Sequence, residues 1–256
     1  MILMDKIKQY RFLFAELVKR DFSAKYKSTF LGMVWSMIMP LVELAIMYFI
    51  FGYLFGRSIH FTVFIFCGRM VYSFFNESTT SGMHSLLSNA GIFSQLNVPK
   101  YIFLLSKNVS SLINFGLELI IFFIFIALDK LPFTGKFVLL LYPIGCLILF
   151  NLGVGLILSA LYIFFRDMTY LYGIFTHVLM FFSAIFYEVD KFPEHLQSIF
   201  LCNPIYIYIK YFRSIVIDSQ IPSLGLHLAG LGYALVFLFL GMFMYKKYNY
   251  KFLYYI

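Results

Sequence analysis

The chain has 256 residues, 62% of them hydrophobic and only 12% charged, with a mean hydropathy of +0.86 and a net charge of +8. Soluble domains hold about 45–50% apolar and about 25% charged residues, so the composition excludes a soluble fold and, with it, a nucleic-acid reading of the positive charge. The sequence describes an all-α integral membrane protein, whose cations are to be read against a bilayer.

Residues 1–30 come first. Tyr10, Phe14, Val18, Phe22, Tyr26 and Phe30 recur every four residues, with Leu13 and Leu17 beside them and seven Lys or Arg interspersed. Spacing of four keeps side chains near one helical face. The pattern predicts an amphipathic helix lying in the interface, aromatics in lipid and cations at headgroups; an ordinary juxtamembrane anchor has the same periodicity. No cleavable leader is expected, because the first long apolar run starts near Leu31, is too long for a leader and lacks a small-residue cleavage site.

A helix needs about 20 apolar residues to cross the hydrocarbon core. Six spans are predicted: Leu31–Phe55, Ile59–Gly82, Tyr101–Leu128, Phe137–Phe165, Met168–Tyr187 and Leu224–Tyr245. The second carries Arg69 and ends in the polar run NESTTSG. Pro40 and Pro143 lie inside spans, where neighbouring helices can satisfy the backbone groups they free. Residues 31–187 thus hold five spans, and 224–245 the sixth. Between them, residues 188–223 are apolar enough to enter the membrane and too short and charged to cross it. Asn203-Pro204 splits this segment, which predicts a re-entrant hairpin of two short helices on the outside; a helical loop lying on the surface is the alternative. Residues 246–256 form a tail, and the whole chain reads as one transmembrane domain without internal repeats.

With an even number of spans, both termini share a side. That side holds residues 1–30, Lys100, Lys107, Arg166, Lys246, Lys247 and Lys251, thirteen cations in all. The opposite side holds six: Arg57, Lys130, Lys136, Lys191, Lys210 and Arg213. The positive-inside rule therefore places both termini in the cytoplasm.

Little in the chain points to catalysis. There is no Gly-x4-Gly-Lys-Ser/Thr loop to cradle phosphates, so no nucleotide hydrolysis is expected of this chain. Five scattered histidines lack metal-ligand spacing, three cysteines form no framework, and neither His-Glu-x-x-His nor Gly-x-Ser-x-Gly occurs. No catalytic residue, metal site or cofactor is assigned. The sharper signal is charge inside the membrane. Glu43 is the midpoint of the first span and Arg69 nearly that of the second, so antiparallel packing brings them to one depth. Each alone costs roughly 2.5–3.5 kcal/mol on insertion scales. They form either a helix-locking pair or the lining of a polar conduit. Glu77 lies about 12 Å along the axis from Arg69 and faces nearly the same way, and Glu118 lies in the third span. The 34 Phe and 20 Tyr are mostly lipid-facing or interfacial side chains, though in bulk they also suit a wall on which sugar rings stack.

The stretch LVKRDFSAKYKSTFLGMVWSMIMPL, with Arg20-Asp21, Lys25-Tyr26, Leu31-Gly32, Trp35 and Pro40, resembles the start of permease subunits of ABC exporters that move lipid-linked polysaccharides such as O-antigen, capsule and teichoic acid. Val98-Pro99, Arg166-Asp167, Asn203-Pro204 and Arg213 extend the likeness in order along nearly the whole chain. One departure is Ser183-Ala184, where the family often has Ser-Pro.

The resemblance implies a homodimer in the bacterial cytoplasmic membrane with two separate ATPase subunits, which carry ATP and Mg, and a polymer on a polyprenyl diphosphate as substrate. It implies that the first and fifth spans line a tunnel gated by the outside hairpins, with Asn203, Pro204, Lys210 and Arg213 at the gate. Arg20, Lys25 and Lys27 are then expected to meet the carrier's diphosphate at the cytoplasmic mouth. The segment Ser88–Lys100, with Phe93, Leu96, Val98 and Pro99, is expected to dock in the ATPase subunit as a short helix with apolar knobs. A type-2 ABC exporter of drugs or lipids shares the six-span plan, and a glycolipid flippase working alone is the other alternative.

Overall fold

A computed structural model describes residues 2–26, 32–54, 60–95 and 98–255. Among the described residues all regular structure is helical. Lys27, Leu31, Arg57 and Leu96 lie outside the described residues.

Helix α1 (Ile2–Tyr26) precedes α2 (Trp35–Leu54) and α3 (Phe61–Met83). A six-residue helix, α4 (Ala90–Gln95), leads to α5 (Tyr101–Leu128). A 3-10 segment, Gly135–Leu140, opens α6 (Leu141–Phe164), and α7 (Met168–Phe182) follows after a tight turn. Two short helices, α8 (Glu194–Phe200) and α9 (Pro204–Val216), come before α10 (Leu224–Tyr248). Four of the described helical segments are long and apolar enough to cross a membrane: Trp35–Leu54, Tyr101–Leu128, Gly135–Phe164 and Leu224–Tyr248. Of the other two predicted spans, α3 is long but polar in its second half. The other, α7, has only 15 residues, about 22 Å of helix against roughly 30 Å of hydrocarbon. It stops five residues before the predicted end at Tyr187 because the backbone turns at Ala184, whose φ is 51°.

The centre of the molecule is α3, which packs against α5, α6, α9 and α2. Val63, Ile65, Phe66, Met70 and Val71 on it are fully buried. That burial explains how a helix with a mid-span Arg holds its place: it is wrapped by protein rather than lipid. The tightest pair is α6 with α10. A Cβ at Gly153 would run into the backbone of Phe237 and Leu238, and one at Gly241 would sit 2.7 Å from the Gly153 carbonyl oxygen. Small residues at such crossings let backbones approach where no hydrophobic driving force exists between helices in lipid.

A second core lies at the other end of the bundle, where Leu17 of α1 packs with Leu86, Phe93, Phe103, Leu104 and Leu156. Tyr10, Leu13 and Phe14 join it. The apolar face of α1, expected to lie in lipid, is therefore turned in part onto protein, chiefly α5. Phe12, on the opposite side, is 71% exposed. A period-four stripe marks an apolar face without saying what covers it.

Candidate functional site

Of the cations expected at the cytoplasmic mouth, Arg20 and Lys25 are among the described residues, and each pairs with protein groups. Arg20 donates from Nη2 to Asp21 at 2.8 Å and to Asn89 Oδ1 at 2.8 Å. Lys107 of α5 reaches the same Asp21 carboxylate at 3.0 Å. These bonds fasten α1 to the 3-10 turn Leu87–Asn89 that leads into α4, and to α5. Lys25 donates to Glu77 Oε1 at 2.9 Å. Arg20 and Lys25 thus each have a protein anion or amide beside them, while both keep nearly half of the side chain exposed. No partner could be assigned to Asn89, Asp21 or Lys107 from the sequence, because a polar residue carries no signal of the group that folding brings to it.

Deeper in the bundle, Arg69 Nε donates to Glu43 Oε2 at 2.8 Å, and Nη2 donates to the same oxygen. Arg69 Nη1 lies 3.7 Å from Glu118 Oε2, an ion pair without a hydrogen bond. One guanidinium therefore serves two carboxylates. Glu77 turns elsewhere: Asn114 Nδ2 donates to it at 2.6 Å, beside Lys25. The four charges expected inside the membrane fall into two clusters along α3, Glu43–Arg69–Glu118 and Lys25–Glu77–Asn114. The Arg69 side chain is 7% exposed and Glu118 10%, but Glu43 is 44% exposed on the outer face of α2.

The segment expected to present apolar knobs is arranged differently. Phe93 is 6% exposed, its ring 5.9 Å from that of Phe103 and beneath the Lys100 ammonium. Val98 packs against the same core. Phe93 and Val98 hold α4 to the bundle, and its exposed residues are Gly91, Ser94 and Gln95. In a six-residue helix an apolar side chain fits an inward anchor as well as an outward knob. Pro99 lies beside Val98 just before α5.

At the opposite end, the split at Asn203-Pro204 has a clear basis. Asn203 caps α9 by accepting from the Ile205 amide at 2.9 Å, and Pro204 sits in the first turn, where its missing N–H is harmless. The Asn203 amide also donates to the Phe182 carbonyl at 2.9 Å and to Ser183 Oγ at 3.1 Å, so the cap joins α9 to the end of α7. Asn203→Ala is expected to cost about 1–2 kcal/mol, the loss of a cap. Asn203→Asp keeps the acceptor and loses both donor bonds. Its melting temperature should fall between those of the parent and the Ala variant; equal melting of Asp and parent would leave the tie to α7 without weight.

Arg213, expected at an outside gate, is buried. Nη1 donates to the Ala184 carbonyl at 2.9 Å, and Nη2 to those of Ile185 at 3.0 Å and Phe64 at 3.2 Å. The guanidinium carbon stands 3.4 Å from the centroid of the Phe64 ring. Gly68 leaves the room, since a Cβ there would meet Nη2 at 2.9 Å. Lys210 remains partly exposed over the Tyr206 ring. Nearby, burial first and then the Asp190 carboxylate raise Asp218 above the usual carboxylate range, with Arg213 opposing them.

Exposed aromatics lie on α2 (Trp35, Phe49 and Tyr53), on α7 (Tyr170, Phe175, Phe181 and Phe182) and on α10 (Phe239 and Phe243). Among the described residues no group of three or more His, Cys, Asp or Glu could hold a metal ion.

A model of the ABC-2 type transporter family matches residues 13–217. The O-antigen export system permease protein RfbA of Klebsiella pneumoniae is 28% identical over 212 residues, 82% of each chain. The protein of that name in Myxococcus xanthus is 24% identical over 227 residues, 86% of each. The polysialic acid transport protein KpsM of Escherichia coli is 25% identical over 235 residues, 90% of this chain and 91% of the relative. The family match covers most of the chain, from α1 through α9, and includes both charge clusters and the Arg213 latch; the chain belongs to the ABC-2 type transporter family.

Proposed function

We propose that the chain is the transmembrane permease subunit of an ATP-driven exporter of polyprenyl-diphosphate-linked polysaccharide in the bacterial cytoplasmic membrane. It works as a homodimer with two ATPase subunits, six spans to each permease, both termini cytoplasmic and α8–α9 dipping in from outside. What carries this reading is that relatives named for O-antigen export and polysialic acid transport align with 82–90% of the chain. The exposed aromatic faces of α2 and α7 support it, because these are the helices that the resemblance assigns to the tunnel. Aromatic faces suit the apolar faces of sugar rings, and a second copy would enclose them.

The coupling step follows from α4. Its outward residues Gly91, Ser94 and Gln95 meet the ATPase subunit, and Phe93 passes the resulting push to Phe103 and so to α5. At the cytoplasmic mouth, Arg20, Lys25 and Lys27 receive the diphosphate. Arg20 would then share its guanidinium between Asp21, Asn89 and a phosphate oxygen, a geometry that a lysine point charge does not copy.

The test is reconstitution of the permease with its ATPase subunit in inside-out vesicles. ATP is expected to drive a polyprenyl-diphosphate glycan into the lumen, where added glycosidase cannot reach it. Arg20→Lys should lower this transfer and the substrate-stimulated ATPase rate about tenfold, roughly 1.4 kcal/mol of phosphate contact, while membrane insertion and assembly stay normal. Transfer without the ATPase subunit, or transport of free lipid or drug with no glycan, would overturn the assignment. Normal transfer by Arg20→Lys would remove the diphosphate site alone.

A further inference from the structure

A groove of about 880 Å³ lies between α1, α5, α6 and α10, on the side of the bundle where α4 sits. Its floor is Leu104, Leu152, Leu156 and Leu238, and its polar end is marked by Lys100 and Lys246. No carboxylate lines it among the described residues. Tyr10 closes it from α1, and Tyr101 and Tyr250 stand beside the lysines. The volume is of the order found for small-ligand sites, and the lining has their usual form of apolar walls with few polar groups. Yet the surface here belongs to membrane-crossing helices, so the occupant must share the bilayer.

We infer that this groove is a binding site for an anionic phospholipid, with acyl chains along the leucines and the phosphate between Lys100 and Lys246. Charge complementarity decides among occupants. Two cations without a carboxylate attract an anion, and the tyrosines sit where amphipathic rings prefer the headgroup level. Lys100 is fixed in place. Its ammonium donates to the Asn249 carbonyl and lies 5.3 Å from the Phe252 ring centroid. Two of its three donor hydrogens are thereby left for another acceptor. Burial holds its pKa below the ordinary lysine range, and a phosphate beside it would oppose that loss of charge. The site touches the coupling region, because Phe93, Val98 and Pro99 also line it. A bound lipid would therefore brace α4 against α10. None of this depends on which substrate the permease carries.

Native mass spectrometry of the purified permease tests the inference, with phosphatidylglycerol, phosphatidylcholine and a polyprenyl phosphate each added in turn. Phosphatidylglycerol should be retained at least about fivefold better than phosphatidylcholine, and Lys246→Gln should weaken retention about fivefold, the usual weight of one lysine near an anionic surface. Lys100→Gln should act alike. Lys247→Gln, one residue along α10 and outside the groove, should change nothing. Met242→Trp narrows the groove without altering charge and should weaken retention while the protein elutes and melts as the parent does. If Lys100→Gln fails to fold because its bond to Asn249 is lost, Lys246→Gln and Met242→Trp still decide. Equal retention of the two phospholipids, or an equal effect of Lys247→Gln, would reduce the site to general surface attraction. Preferential retention of polyprenyl phosphate, weakened in Met242→Trp, would make the occupant the carrier lipid and overturn the inference.

Discussion

Arg69→Gln is expected to remove most of the folded permease, whereas Glu43→Gln removes only part of it. The asymmetry follows from one guanidinium facing two carboxylates. Taking Arg69 away strands Glu43 and Glu118 together, and breaking a buried pair by removing one partner costs about 3–5 kcal/mol. That is a large share of a total stability of about 5–15 kcal/mol. Taking the charge from Glu43 leaves Arg69 with Glu118 at 3.7 Å, and glutamine at 43 still offers an oxygen to Nε. Glu43 is also 44% exposed, so its own charge is less dependent on the pair. A loss of about 1–2 kcal/mol is expected there. The double variants are more informative. Arg69→Gln with Glu118→Gln should recover more folded protein than Arg69→Gln with Glu43→Gln, because Glu118 is the more deeply buried of the two acids. Yield of monodisperse protein and thermal melting in detergent give the measurement. Strictly additive losses would mean that the three residues do not act as a unit, and equal damage from Glu43→Gln and Arg69→Gln would refute the asymmetry.

This cluster also shows where sequence reasoning reaches and where it stops. Glu43 and Arg69 were legible as neighbours because each is the midpoint of one of two consecutive antiparallel helices, so depth alone brings them together. Glu118 was not, because joining it needs the rotation of α5 about its own axis, and apolar residues on all sides of a span leave that rotation open. Glu77 lies eight residues from Arg69 on nearly the same face, about 12 Å along the axis, and that spacing names no partner for it; the fold supplies Asn114 and Lys25. Four helices are readable from unbroken apolar length, and the break before α9 from Asn203-Pro204. Which way Phe93 faces is not legible in the sequence, since solvent-facing and core-facing positions both take a Phe; in the structure it faces inward. The groove between α1, α5, α6 and α10 was invisible, because its walls come from four parts of the chain that no local pattern connects. The turn at Ala184 was hidden for another reason: alanine seldom adopts a positive φ, so nothing in Ser183-Ala184 announces it.

That turn leads to the second large effect. Arg213→Lys is expected to destabilise the permease almost as much as Arg213→Gln, by several kcal/mol, although it keeps the charge. The guanidinium donates to three carbonyls, those of Ala184, Ile185 and Phe64, and so joins α9 both to the strained turn after α7 and to the first turns of α3. Each buried carbonyl left without its donor costs about 1–3 kcal/mol. A lysine has three donors on one nitrogen and no planar fork, so it cannot span carbonyls on two separate segments. It would also lose the stacking of the guanidinium on Phe64 and bury an ammonium with fewer partners. The left-handed Ala184 costs about 1–2 kcal/mol by itself, and the Arg213 bonds to the carbonyls of residues 184 and 185 are what hold it there. Loss of Arg213 should therefore free this end of α7 before the rest of the bundle. Hydrogen exchange should rise first between residues 183 and 187 and in the first turns of α9, with α6 and α10 still protected. Uniform exchange across all helices, or an Arg213→Lys variant that melts with the parent, would show that Arg213 is a passenger in the fold.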